Sequence, residues 1–185
     1  MSVTRRIEPQ MTTQAYTMAD AEAYKPAFEE LLERHRKIVF KVANTYTRLA
    51  EDRADLAQEI VAQCWRAFPG YDVERSFSTW MYRIALNVAI SFVRGVVHRE
   101  KHSVALDESL HDVAGDAAPE ADERVRALYH FIDQLGALDR ALLLLYLEER
   151  SYREIADILG ISETNVATKI SRLKQRIRAD MATDN

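Results

Sequence analysis

The tightest constraint on the fold is a cap, a turn and a second cap within the stretch "SYREIADILGIS", Ser151 to Ser162. Ser151 is followed three residues later by Glu154, a capping box in which each residue can satisfy the other's orphan backbone amide, so a helix is predicted to start at Tyr152. Ile155, Ala156, Ile158 and Leu159 then fall on one helical face, and Gly160 supplies the left-handed residue that commonly ends a helix. Ser162 can cap a second helix with an inner stripe of Val166, Ile170, Leu173 and Ile177, while Thr164, Asn165, Thr168, Lys169, Arg172 and Arg176 face elsewhere. Between Thr164 and Arg178 there are five Lys or Arg and no acid, which makes that outer face cationic. Two capped helices around a three-residue turn form a helix-turn-helix. Its second helix lies in the major groove, where Asn and Arg read base edges while Lys and Thr hold phosphates. Duplex DNA is therefore the implied ligand. A merely solvated basic helix is the competing reading, and the paired caps and glycine turn argue against it.

The formal charge of the whole chain is −4 over 185 residues. An acidic protein has no general positive field with which to hold DNA, so its basic patches must act locally or a larger partner must add affinity. This reads as a subunit. With 48% apolar residues the chain can fill two small globular units. The break between them falls at Ser103 to Asp122, which holds six acids and no Lys or Arg and contains the loop-forming run "VAGDAAPEAD"; it is expected to be a flexible linker.

Everything before that break carries helical periodicity. Phe28, Leu31, Leu32, His35, Val39, Val42 and Tyr46 trace one face of a first long helix, and a second is predicted from about Arg53 to Phe68. "PGYDVERSF" interrupts the pattern and reads as a loop. Ser78 can cap a third long helix that points Trp80, Ile84, Val88 and Phe92 towards a core. On another side of that helix Arg83, Asn87, Ser91 and Arg94 recur at spacings of four, four and three, so they align and can track a nucleic-acid strand. An ordinary solvated face has the same spacing. Beyond the break, Val125, Leu128, Ile132 and Leu135 suggest one helix and Ala141 to Leu147 another, both packing the helix-turn-helix into a unit. The fold class is thus all-α, with two small helical domains joined by an acidic linker.

Other chemistry finds little support. The lone cysteine, Cys64, rules out an internal disulfide, fits a reducing compartment and reads as a small buried hydrophobe rather than a nucleophile. The start "MSVTRRIEPQMTT" has arginines without an apolar run, and the longest greasy stretch, Ala141 to Leu147, is too short to span a bilayer, so a cytoplasmic protein is expected. The five glycines form no phosphate-cradling loop and no hydrolase or metalloprotease motif occurs, so neither catalysis nor a cofactor is expected. His98 and His102 have metal-ligand spacing on a helix; with Arg99 and Lys101 beside them near a helix end, dipole or phosphate contacts explain them better, and no metal site is expected.

In order, "DLAQEIVAQCW", "SFSTWMYRIALNVAISFVR", an acidic linker and "SYREIADILGIS" resemble a bacterial extracytoplasmic-function sigma factor of the sigma-70 family, from Phe28 to Arg178. Several motifs in the right order are far more specific than one helix-turn-helix. The resemblance implies residues 23–102 as the region 2 domain, 103–122 as linker and 123–182 as the region 4 domain, with 1–22 an extension expected to be disordered. It implies that Asp55, Gln58 and Glu59 on the second helix dock on the clamp coiled coil of core RNA polymerase, although this acidic face also admits a structural role. Tyr71 to Phe77 and the face of Arg83, Asn87, Ser91 and Arg94 would capture the unwound minus-ten element, the contacts offsetting an unstacking cost of a few kcal/mol. Trp80 is read either as a wedge in the duplex or as a core residue. Thr164, Asn165, Thr168, Lys169, Arg172 and Arg176 would read the minus-thirty-five element.

The chain departs from the family pattern at two places. Gly136, Ala137 and Leu138 stand where "LP" is frequent, and Asn165 and Ala167 stand where a Thr and a basic residue are common, so promoter preference does not transfer. Asn165 is read equally as an adenine contact or as support for the helix start. The implied partners are core RNA polymerase, promoter DNA and an anti-sigma factor. A sigma-like decoy that only binds an anti-sigma factor, and a free-standing helix-turn-helix repressor, are the competing functions.

Overall fold

The computed structural model describes residues 18–102, 131–132 and 134–183, with side chains for 23–95, 131–132 and 134–179. Among these every regular element is helical: α1 (Met18–Tyr46), α2 (Ala50–Ala67), a 3-10 turn at Phe68–Gly70, α3 (Phe77–His102), α4 (Ala137–Leu147), α5 (Tyr152–Leu159) and α6 (Glu163–Thr183). Helix α1 begins five residues inside the stretch assigned to an N-terminal extension. The acidic segment 103–122, with Val125 and Leu128, lies outside the described residues.

The first three helices pack on one another in a bundle. The stripe expected on α1 is the one that turns inward, with Phe28, Val39, Val42 and Tyr46 all buried. On α2, Leu56, Ile60 and Cys64 are fully buried, and Val61 and Trp65 lie half-buried beside them. Burial pushes the Cys64 thiol up to about 12, so it remains an uncharged apolar filler at neutral pH.

Two expectations for α3 need correction. Its first cap is Ser76 rather than Ser78, because the Ser76 carbonyl accepts the Trp80 amide at 3.1 Å and Phe77 is already helical. Its most buried line is Met81, Tyr82, Ala85, Leu86 and Ala89, whereas Trp80, Ile84, Val88 and Phe92 lie half-buried at its margin. The physical reason is contact on more than one side. Helix α3 packs against both α1 and α2, and the small residues Ala85 and Ala89 allow the closest approach where larger side chains cannot fit.

The last three helices form the second unit, in which Ala141, Leu142, Leu145, Ile155, Ile158, Val166, Ile170 and Leu173 are buried together. Here the caps and most of the inner stripe follow the sequence reading, while α4 starts at Ala137, four residues ahead of the expected run Ala141 to Leu147, and Ile177 is only half-buried. Ser151 Oγ accepts the Glu154 amide at 3.2 Å while Glu154 Oε2 accepts the Ser151 amide at 2.9 Å, closing the capping box. Those contacts also hold the Glu154 carboxyl below the usual carboxylate range, the backbone hydrogen bond from Ser151 being the largest cause. Gly160 takes the left-handed conformation at φ 66°, and its amide donates to the Ala156 carbonyl. A Cβ at Gly160 would meet open space, so only the backbone strain opposes one. Gly160→Ala is therefore expected to destabilise the second unit by about 1 kcal/mol, read as a lowered midpoint in thermal or urea unfolding. An unchanged midpoint would show that the turn tolerates a side chain at positive φ.

Candidate nucleic-acid interface

Helix α6 presents its outer face as anticipated. Ser162 Oγ accepts the Asn165 amide at 3.2 Å, so the backbone of Asn165, and not its side chain, completes the cap. The Asn165 side chain is exposed together with Thr164, Thr168, Arg172 and Arg176, while Val166, Ile170 and Leu173 face inward. Two members of the set have intramolecular partners. Lys169 Nζ lies 3.5 Å from Asp139 on α4, both side chains about one-third exposed, and the Arg176 guanidinium lies 5.7 Å from the Phe131 ring centre. Thr168 Oγ1 donates to the Thr164 carbonyl at 2.9 Å. Among the described residues, the side chains of Thr164, Asn165 and Arg172 are exposed without such a contact.

On α3, Arg83, Asn87, Ser91 and Arg94 are all exposed and lie on one side, as their spacing requires. The loop that precedes this face is fastened from below. Tyr71 packs against both Phe77 and Trp80, its ring centre 5.3 and 5.1 Å from theirs, and it stacks at 5.9 Å on Phe68. Its hydroxyl donates to the Arg75 carbonyl at 2.6 Å, and Asp72 accepts the Glu74 amide, which closes the loop into a tight turn. Val73 is left 81% exposed at the tip. Trp80 belongs to this aromatic cluster, half-buried, and so forms the floor of the loop. Aromatic stacks of this kind add roughly 0.5–1.5 kcal/mol per pair beyond burial, enough to hold a short polar loop in one conformation.

Asp55, Gln58 and Glu59 are all exposed on α2, but only Gln58 borders a groove between α1 and α2. That groove, of about 920 Å³, is apolar, with Leu32, Phe40, Val61 and Trp65 in its lining. Phe40 is 54% exposed. Glu59 accepts from the Gln63 amide group and pairs with Arg66 at 3.7 Å, which ties it to its own helix surface. The exposed aromatic was not anticipated, since Phe40 lies off the stripe that marks the core of α1. Among the described residues no cluster of three or more His, Cys, Asp or Glu is placed to hold a metal, and the side chains of His98 and His102 lie outside them. No described helix is long and apolar enough to cross a membrane.

A three-helix bundle with a braced loop before a polar helix face, followed by a helix-turn-helix, defines a sigma-70-type protein. The Sigma-70 region 2 family matches residues 31–97 and the Sigma-70, region 4 family matches residues 125–177. The chain is 30% identical over 181 residues to the ECF RNA polymerase sigma-E factor of Haemophilus influenzae, covering 91% of this chain and 94% of that one. It is 26% identical over 170 residues to the ECF RNA polymerase sigma factor SigW of Bacillus subtilis, covering 84% and 89%. The fold is similar to that of CnrH in complex with the cytosolic domain of CnrY, with a TM-score of 0.64 at 22% identity over 89% of this chain and 94% of that one. It is similar also to the sigma factor RpoE in complex with the anti-sigma factor NepR from Bartonella quintana, with a TM-score of 0.64 at 19% identity over 89% and 99%. The chain belongs to the ECF RNA polymerase sigma factors.

Proposed function

We propose that this chain binds core RNA polymerase and directs it to promoters, with the work divided between its two helical units. The observation that carries this reading is the pair of exposed polar helix faces, one on α3 and one on α6, each backed by its own buried stripe on a chain of net charge −4. Neither face is broad enough to hold DNA by charge alone, so a larger partner supplies the remaining affinity. Asp55, Gln58 and Glu59 on α2, of which Gln58 borders the apolar groove of α1 and α2, are the proposed docking face for core polymerase. Such a surface suits a helical partner, with an apolar centre and a polar rim.

Arg83, Asn87, Ser91 and Arg94 would then hold the unwound minus-ten strand, and the Tyr71 to Ser76 loop would take a base extruded from the stack, with Trp80 beneath it. Thr164, Asn165, Thr168, Lys169, Arg172 and Arg176 would engage the minus-thirty-five duplex, Lys169 releasing Asp139 to reach a phosphate. An anti-sigma factor is the proposed regulator, as NepR is bound by RpoE. Run-off transcription with purified core enzyme and a genomic template pool tests the assignment. Promoter-dependent transcripts that require this chain are the expected result; their absence, with the chain nonetheless bound to core, would overturn it and favour a decoy.

A further inference from the structure

Helix α4 packs on α6 and meets the cations of that helix with two different chemistries. Asp139 Oδ1 lies 3.5 Å from Lys169 Nζ, and Tyr146, further along α4, holds its ring centre 4.4 Å from Lys174 Nζ. The ring is neutral and leaves the charge of Lys174 in place, whereas the carboxylate offsets the charge of Lys169. Both side chains of the ion pair are 31% exposed, so water screens them only in part. Asp139 stands in the first turn of α4, where unpaired backbone amides favour a carboxylate whether or not a cation is near.

The pair borders the face proposed for duplex DNA. Lys169 follows Asn165 by four residues and precedes Arg172 by three, so the three side chains leave α6 on one side. A carboxylate paired with Lys169 therefore lies at the edge of the surface that a phosphate would approach. Of the five Lys or Arg between Thr164 and Arg178, one is offset by α4 before any DNA arrives. Phosphate contacts supply the sequence-independent part of duplex affinity, and each cation brought to the backbone adds about 0.9 to the steepness of log affinity against log salt. A pair without net charge adds nothing to that slope.

We infer that Asp139 is a restraint on duplex binding: it competes with DNA phosphate for Lys169 and so lowers the affinity of α6 for DNA of any sequence. The inference rests on the proposed assignment of α6 to duplex DNA and adds to it the residue that limits the strength of that contact. A supporting role, in which the carboxylate steadies Lys169 for a phosphate, has the opposite sign. Charge favours the restraint, because two anions drawn to one ammonium group repel each other. The consequence is regulatory. A chain whose own grip on duplex is held down depends the more on the larger partner that its net charge of −4 already calls for.

The test titrates the full chain, by fluorescence anisotropy, against a labelled mixed-sequence duplex over a series of salt concentrations. Asp139→Asn, which keeps the shape and removes the charge, is expected to bind roughly fivefold more tightly at low salt and to steepen the salt slope by about 1. Asp139→Ser carries the same expectation and guards against a fold defect particular to asparagine. Asp139→Glu keeps the carboxylate and should bind within about twofold of the unsubstituted chain. In a Lys169→Ala background Asp139→Asn should gain less than about twofold, because its effect passes through that lysine. Neutral variants that bind no more tightly than the unsubstituted chain would overturn the restraint. So would a gain of equal size without Lys169, which would mark a general effect of net charge. The reading of α6 fails separately: if no variant binds duplex at low salt, that assignment is overturned and the restraint falls with it.

Discussion

Ile155→Asp is expected to abolish promoter-dependent transcription while leaving the association with core polymerase intact. Ile155 is fully buried at the centre of the helix-turn-helix, packed among Leu142, Ile158, Val166 and Ile170. An aspartate there forfeits about 2–3 kcal/mol of apolar burial and must either bury an unpaired carboxylate or take up a proton, at a further cost of several kcal/mol. A domain of this size has only about 5–15 kcal/mol of stability to lose, so the second unit unfolds. The groove of α1 and α2 lies in the three-helix bundle, whose buried Leu56, Ile60, Met81 and Leu86 sit on helices that pack on one another, contacts that remain when the second unit unfolds. A pull-down with core enzyme should therefore remain positive while the run-off product disappears. Ile155→Val, which removes one methylene, should cost only about 1 kcal/mol and preserve both activities. If the aspartate variant transcribed normally, the second unit would have no part in promoter use.

The helix-turn-helix was legible in the sequence because everything that defines it is local. Ser151, Glu154, Gly160 and Ser162 act on backbone groups within four residues of themselves, and the stripe from Val166 to Leu173 meets partners on the adjoining helix. The third helix was legible only in part. Its type and its polar face followed from spacing, but a stripe of large residues, Trp80, Ile84, Val88 and Phe92, outweighed the alanines that mark the closest helix contacts. A helix packed on two neighbours buries a broad arc, and the period-3.6 pattern does not say where the centre of that arc lies.

Contacts of long range left no trace that a single sequence could carry. Glu148 meets Lys41 across 107 positions and Tyr82 across 66, and neither spacing belongs to any periodic signal. Tyr82 reads as an ordinary core aromatic and Lys41 as an ordinary surface cation until the turn that joins them is seen. The same holds for Phe40, whose exposure is set by the gap between α1 and α2 and not by its neighbours in sequence.

Arg172→Ala and Asn87→Ala are expected to fail in opposite ways. Both side chains are exposed, and neither belongs to a buried core, so each substitution should change stability by less than about 0.5 kcal/mol. Their effects can then be read as losses of contact with DNA. For Arg172, removal of one groove or phosphate contact costs about 1–3 kcal/mol, or roughly tenfold to a hundredfold in binding of upstream duplex. The salt dependence separates the two kinds of contact: loss of a phosphate ligand lowers the slope of log affinity against log salt by about 1, whereas loss of a base contact leaves the slope and relaxes preference at one position. For Asn87, upstream binding should be unchanged and strand opening should fall by roughly tenfold, read by permanganate reactivity of unpaired thymines in the holoenzyme complex. Equal footprints from both proteins would remove Asn87 from the minus-ten face and leave α3 polar there only because it borders water. The opposite result, a loss of opening at full upstream occupancy, would show that the two helix faces act on separate steps of one reaction, since a single continuous DNA-binding surface would weaken in both assays at once.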